Sequence, residues 1–391
     1  MPFKVRSLTL FTFVMHCFTG FTQNIDGIDY GTSSTLEILS WNIENFPKNE
    51  ATTVAKVGDI IEALNADIIA IQEVDDRNSF NEMVANMESY EGYLESEWFA
   101  GLAFIYNKNT IEINSIYEIY TTSQYWSPFP RSPMVMDFNF KNQRYIVINN
   151  HLKCCGDGFF DVNDSDDEET RRYNASILLK EYVDDNFSDA QVIILGDLND
   201  ELTDDSQDNV FRTIIEDSNN YLFTDIDIAN GNSSNWSFPN WPSHLDHILI
   251  TNELFEKFEN ENSNIETIKL EEYLENGWYE YDQDISDHRP VALKIFADSN
   301  LQTTDEMMVA SFFTNSPNPI KTETNFTFKS KFNLDRIEIY TTKGQRISSL
   351  NIDKNQSSIP FYTSHLANGV YFANLISNNI AIASKKIVIL K

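Results

Sequence analysis

The feature that most constrains this chain is a recurrence: between Leu36 and Phe296, six apolar runs each carry a short polar cluster at one end. The clusters are Ser40-Trp41-Asn42, Gln72-Glu73, Asn150-His151-Leu152-Lys153, Gly196-Asp197-Leu198-Asn199, Leu245-Asp246-His247 and Ser286-Asp287-His288-Arg289-Pro290. Asn42, Glu73, His151 and Asp197 close runs that read as buried strands: Leu36–Trp41, Ile68–Ile71, Tyr145–Asn149 and Val192–Leu195. Asp246 and His288 stand at or just before the start of two more, Leu245–Ile250 and Val291–Phe296. In a mixed sheet, strands running one way end on the rim where opposed strands begin. All six clusters can therefore meet on one rim. Carboxylates, amides and histidines gathered there point to a divalent metal and an activated water.

The apolar runs are near-continuous rather than alternating, which predicts sheets covered on both faces. Asn49–Leu64, with Val54, Val57, Ile60, Ile61 and Leu64 apolar, reads as an amphipathic helix leading into the Ile68–Ile71 strand. Thr170–Val183 reads as a second helix. Two facing sheets with helices outside is the architecture expected.

A chain of 391 residues has room for two domains of ordinary size. It carries 28 Lys or Arg against 60 Asp or Glu, a net of −32, unevenly spread. From Asn300 onward there are ten basic and six acidic residues, and residues 1–22 hold only Lys4 and Arg6, so the intervening segment carries −38. The charge shifts across the polar stretch that begins at Asp298, which reads as a linker. An acidity of this size counts against a tight nucleic-acid binder with a broad basic face. It does not exclude a nuclease, because salt and divalent cations screen the repulsion.

The chain begins with Lys4 and Arg6, then a short apolar stretch to Phe21 and a small-residue site at Gly20-Phe21-Thr22, the pattern of a signal peptide cleaved near Thr22. No later stretch is long and apolar enough to cross a membrane. Beyond that site only Cys154 and Cys155 remain, so disulfides do not hold the fold together. The two neighbours can form a vicinal disulfide or stay as thiols in a loop. In that loop, Gly156–Glu169, the residues Asp161, Asn163, Ser165 and Asp167 alternate like calcium ligands. Asp166 replaces the glycine and Arg172 the glutamate that an EF-hand requires. A structural Ca2+ ion or a solvated acidic loop both fit.

The clusters, read as WNIENF, IQEV, NHLK, GDLND, LDHILI and SDHRPV, resemble in wording and order the endonuclease/exonuclease/phosphatase family, the DNase I-like phosphoesterases. The resemblance implies a four-layered α/β sandwich over residues 35–298, after a signal peptide at 1–22 and an N-terminal segment at 23–34. It further implies that Glu73, Asn42 and Asp287 serve a Mg2+ (or Mn2+) ion. Asp197 then orients or deprotonates the water, and Asn199 holds the water or a phosphate oxygen. His288, oriented by Asp246, and His151 act on the phosphate. Arg131, in Pro130-Arg131-Ser132-Pro133-Met134, matches a position where an arginine touches phosphate, although a surface salt bridge fits it as well. Lys153, Arg171 and Arg172 add positive potential, although a solvated helix start explains Arg171 and Arg172 equally well. His244 and His247 read as strand-end packing or rim residues, and Trp126, Trp236 and Trp241 as loop residues, which by default pack but could stack a base.

After a linker at 299–312, residues 313–391 contain short strands with turn signals, a small all-β sandwich. Their wording, SPNP, IEIYTTKGQRI and LANGVYFANL, resembles the type IX secretion sorting domain of Gram-negative bacteria. The joint reading is a secreted, monomeric, metal-dependent phosphodiesterase whose substrate is extracellular DNA or RNA and whose other partner is the type IX machinery. A phosphatase or phospholipase C-like enzyme acting on inositol phosphates or sphingomyelin is the alternative. An inactive surface-binding protein is the third, and the intact Glu73, Asp197, Asn199, Asp246 and His288 argue against it.

Overall fold

Nearly all of the first strand, β1 (Thr35–Phe46), is buried, its polar Glu37, Ser40 and Asn42 included. The computed structural model describes residues 27–94, 100–297, 313–328, 334–353, 356–377 and 380–391. The signal peptide expected at 1–22 and the linker expected at 299–312 lie outside the described residues. Two compact units form, Met1–Ile295 and Phe296–Lys391.

In the first unit, β1 is followed by helix α1 (Glu50–Leu64), β2 (Ile68–Val74), helix α2 (Arg77–Ala85), β3 (Tyr90–Tyr93), β4 (Gly101–Asn107), β5 (Ile111–Glu118), β6 (Met134–Phe140) and β7 (Gln143–His151). Helix α3 (Glu168–Asn186), β8 (Gln191–Asp197), β9 (Tyr221–Phe223), β10 (Asp246–Thr251), β11 (Asn264–Thr267) and β12 (Val291–Phe296) complete it, with short helices between them. The strands make two six-stranded mixed sheets, ordered β11-β12-β1-β2-β4-β3 and β5-β6-β7-β8-β10-β9.

Each sheet buries both faces. Leu39, Trp41, Ile43, Ile69 and Ile71 pack outward under α1 through Val57, Ile60, Ile61 and Leu64. Ile146, Ile148, Val192 and Ile194 pack outward under α3 through Ala175, Leu179 and Val183. Strand alternation then turns the intervening residues inward, toward the other sheet. The expected four-layered α/β sandwich is what forms. Both predicted helices are present, each within a few residues of its expected ends.

Between the sheets lies a polar tie directly beneath the rim. Buried Gln72 donates from Nε2 to Asn149 Oδ1 at 2.8 Å, and Asn149 Nδ2 donates to the carbonyls of Ile71 at 2.9 Å and Ala103 at 3.0 Å. Asn149, on one sheet, thereby satisfies backbone carbonyls of the other, which fixes their relative register.

The second unit is all-β, with sheets β13 (Phe313–Ser316), β14 (Glu323–Phe328), β17 (Ser358–Tyr362) and β16 (Arg346–Asn351), β15 (Leu334–Thr341), β18 (Gly369–Ser377), β19 (Ile380–Ile389). Phe313, Phe326, Ile337, Ile339, Ala373 and Ile387 form its core.

Candidate active site

Three strands bring three of the expected residues to a single rung. β7 and β8 are parallel and pair His151 with Asp197; β8 and β10 are antiparallel and pair Asp197 with Asp246. All three side chains face the opposite sheet, because their neighbours Ile148, Ile194 and Leu249 belong to the outer core. Gly196, beside Asp197, has φ +144°, and a Cβ there would come within 2.0 Å of the Asn150 carbonyl. Only glycine lets the strand end pass its partner so closely.

From the facing sheet come Asn42 and Glu73. Asn42 shares the inward parity of Ser40 on β1 and pairs with Gln72. Alternation would send Glu73 outward, since Gln72 already points in. A positive φ of 66° at Glu73 and a register shift after Asn42 turn it back. Asn42 Nδ2 then donates to Glu73 Oε1 at 3.1 Å and to Asp197 Oδ2 at 3.0 Å. Its oxygen accepts from the Glu44 amide at 2.9 Å, so it is the amide nitrogen that spans the two carboxylates. Glu73 Oε2 accepts from the Asn45 amide at 3.0 Å.

The closing cluster is fastened from above. Ser286 Oγ donates to the Asn42 carbonyl at 2.6 Å and accepts from the His288 amide at 2.9 Å. Tyr281 OH donates to the His288 carbonyl at 2.5 Å while accepting from Trp41 Nε1 at 3.0 Å. His288 Nδ1 meets Asp246 Oδ2 at 2.7 Å, and its Nε2 lies 3.8 Å from Asp197 Oδ2. Phe238 packs against its ring at 4.7 Å.

Charge in this buried space is unbalanced. Burial disfavours a charged His288, yet the carboxylates of Asp246 and Asp197 outweigh it and raise the imidazole to about 10. Burial raises Asp197 to about 7; Asp246 and Glu73 add to that, and His288 and Asn42 oppose it. His151 is held well below the usual histidine range, by burial first and then by Arg131 and His288, so it is neutral. Its Nε2 lies 3.6 Å from Asp197 Oδ2 and 3.8 Å from Glu73 Oε1. His151 Nδ1 and Asp246 Oδ1 are buried without a hydrogen-bond partner. Glu73, His151 and Asp197 place one ligand atom each within 4.8 Å of the others, and so do Asp197, Asp246 and His288. Oxygen and imidazole donors crowded with too few cations are a donor set that fits a divalent metal.

The remaining expected residues are less uniform. Arg131 lies close enough to His151 to disfavour its charged form, as a phosphate-facing arginine would. Asn199 is anchored by its own amide on Asp197 Oδ1 at 3.1 Å and by Nδ2 on the Leu152 carbonyl at 3.3 Å, in a left-handed conformation. Asp287 belongs to neither ligand group; it lies 3.9 Å from His288 Nε2 and faces Glu44, whose carboxyl is raised by burial and, beyond its Lys48 partner, by Asp287. Glu44 is thus a rim residue that its cluster contained and that reasoning from strand ends passed over.

Arg172 neither faces the site nor opens a solvated helix. It is 2% exposed and spent on Asp200 Oδ2 at 2.7 Å and on the Lys153 and Cys155 carbonyls, each at 2.7 Å. Arg171 donates to the Ser127 carbonyl and Lys153 lies 3.6 Å from Glu168. His244 and His247 are fully buried and do not reach the rim. Both share buried Asp225, and His247 also braces the Asp200 carbonyl at 2.9 Å. Trp126 and Trp241 are exposed, while Trp236 donates to the Ile228 carbonyl. Cys154 and Cys155 are free thiols.

Residues 39–288 match the profile of the Endonuclease/Exonuclease/phosphatase family. The chain belongs to that family. Residues 316–390 match the Secretion system C-terminal sorting domain, so the protein is exported by the type IX route. Among solved structures, a D. rerio TDP2 complexed with a single-strand DNA product superposes with a TM-score of 0.51 at 15% identity, covering 68% of this chain and 100% of that one. A D. rerio TDP2 humanized by 14 mutations gives 0.50 at 15% identity with the same coverage. The human Nocturnin catalytic domain gives 0.48 at 15% identity, covering 67% of this chain and 94% of that one. At these identities the likeness is one of fold. No curated protein matches the sequence. Members of the family are phosphoesterase hydrolases and are in general dependent on a divalent metal. Among the described residues, no helix is long and apolar enough to cross a membrane.

Proposed function

We propose that this family member is a secreted phosphodiesterase that hydrolyses extracellular DNA or RNA with Mg2+ or Mn2+. The observation that carries the reading is the rung His151–Asp197–Asp246 with His288 clasped to Asp246. Glu73 would hold the ion, with Asn42 bracing Glu73 against Asp197 and Asp287 approaching from the rim. When bound, the ion neutralises charge on the phosphoryl oxygens and lowers the pKa of a water.

Everything else falls to the chain's own groups. Asp197 orients the attacking water and takes its proton. Asp246 orients the ring of His288 through Nδ1–H and keeps it charged, so that Nε2–H points at the phosphate. His151, neutral, presents a second ring to the phosphate beside Arg131. Asn199 holds the water or a phosphate oxygen. The net of −38 on the segment that contains this unit lends some weight to the second reading, a smaller phosphoester such as an inositol phosphate or a phospholipid headgroup.

The test is hydrolysis of plasmid DNA, RNA, bis-p-nitrophenyl phosphate, sphingomyelin and inositol phosphates by the purified protein with Mg2+ or Mn2+. We expect nucleic acid to be cut and Glu73→Gln to lose most turnover while remaining folded. Full activity in excess EDTA would sink the metal mechanism, and cleavage confined to inositol phosphates or sphingomyelin would select the second reading.

A further inference from the structure

The chain that leaves His151 runs without regular structure to Asp167, where α3 begins. Stretches of this length inside a compact unit are uncommon and usually have a task. Of the alternating residues Asp161, Asn163, Ser165 and Asp167, Asp161 turns its Oδ1 to the Asn163 amide at 2.9 Å, whereas Asp167, which caps α3 through Oδ2 on the Thr170 amide at 2.7 Å, sides with another acidic group of the loop.

A different set does converge. Asp157, Asp167 and Glu169 place one oxygen each within 4.8 Å of the others. Glu169 is 2% exposed. Its Oε1 accepts from the Gly158 amide at 2.8 Å and meets Arg172 Nη2 at 3.1 Å, but Oε2 is buried with no hydrogen-bond partner. A carboxylate oxygen buried without a donor is costly unless a cation faces it. The loop is built tightly over this carboxylate. A Cβ on Gly156, at φ +113°, would come within 2.2 Å of Oε1 and 2.6 Å of Oε2. Asp157 commits only Oδ1, to the Phe159 amide, leaving Oδ2 for the cluster.

We propose that Asp157, Asp167 and Glu169 hold a Ca2+ ion that fixes the loop behind His151. The donors are all hard oxygens on an irregular loop. Ca2+ accepts six to eight oxygens in flexible geometry, with waters and loop carbonyls completing the shell, whereas Mg2+ demands a near-ideal octahedron. Arg172 carries the effect inward: the same guanidinium that meets Glu169 also holds the Lys153 and Cys155 carbonyls and Asp200. Calcium at Glu169 therefore stiffens both segments that flank the site, the one after His151 and the one after Asn199. Export places this loop outside the cell, and extracellular modules bind Ca2+ with dissociation constants of about 10⁻⁴–10⁻³ M.

The full chain is titrated with Ca2+ in an excess of Mg2+, which occupies the active site, while thermal unfolding and proteolysis of the 156–167 loop are followed. Ca2+ should raise the unfolding temperature and slow loop cleavage, with half-saturation at about 10⁻⁴–10⁻³ M. Asp157→Asn, at an exposed position, should weaken the response at least about tenfold, and Glu169→Gln should abolish it. If Glu169→Gln does not fold, Asp157→Asn decides alone. No calcium response in the native protein, or an undiminished one in Asp157→Asn, would overturn the proposal. Neither readout depends on turnover, so failure here is separable from failure of the phosphodiesterase reading.

Discussion

Gln72 and Glu73 are neighbours with opposite duties, and the backbone between them makes that possible. Gln72 points inward and joins the sheets through Asn149, so a regular strand would leave Glu73 on the outer face. The left-handed turn at Glu73 returns its carboxylate to Asn42. Such a conformation costs roughly 1–3 kcal/mol and persists where the surroundings over-determine it, as the Asn42 and Asn45 donors do here. At the same scale, buried His288 is held charged by Asp246, which touches it at 2.7 Å, and by Asp197. The pair should behave as one unit. Asp197→Ala and His288→Ala should each lower turnover at least about 10²-fold. Asp246→Asn combined with His288→Ala should be little worse than the worse single variant. Additive losses in steady-state kinetics would argue against the unit.

Among the elements, the decisive one is the end of β8. It lies between β7 and β10, so its last residue is the only one on that rung with a partner on each side. Its register depends on Gly196, which passes the Asn150 carbonyl where no side chain fits. Gly196→Ala should therefore displace Asp197 relative to both neighbours. The expected loss is about 1–3 kcal/mol of strain in urea unfolding, with turnover falling by more than the stability loss explains. Unchanged unfolding and unchanged turnover would show that the strand end yields without cost. In the sequence, the GDLN element was visible as a rim cluster, and each strand end was visible as the close of an apolar run. The pairing of His151, Asp197 and Asp246 was not, because register between strands far apart in sequence leaves no trace in local pattern. Arg172 shows the same limit. From sequence it was either a source of positive potential or a solvated helix-start cation, and its burial against Asp200 and the Lys153 and Cys155 carbonyls follows from three separate segments meeting.

For the whole molecule, charge and composition already divided the chain into an acidic part and a mildly basic tail, ten Lys or Arg against six Asp or Glu from Asn300 onward. The two compact units and the sorting-domain match follow that division. Every site residue discussed lies before Ile295, and the tail has a hydrophobic core of its own. Deleting 313–391 should leave the specific activity of the purified enzyme unchanged and, in the native host, leave active protein in the periplasm. Normal release of the truncated protein, or a folded but inactive product, would count against this separation of labour.

Sequence alone determined which residues stand at the strand ends, their order, the sheets buried on both faces, and a mildly basic tail set apart from the acidic part. Each of these is written in local pattern: apolar runs, the residues that interrupt them, and charge summed over a segment. Tertiary structure alone decided that Asn42 reaches both carboxylates through its nitrogen, that Asp287 faces Glu44, and that Glu169 rather than Asp161 joins the acidic cluster in the loop. These are matters of which atom faces which across segments far apart in the chain. That is set by sheet packing, strand register and a few left-handed residues, none of which local pattern encodes.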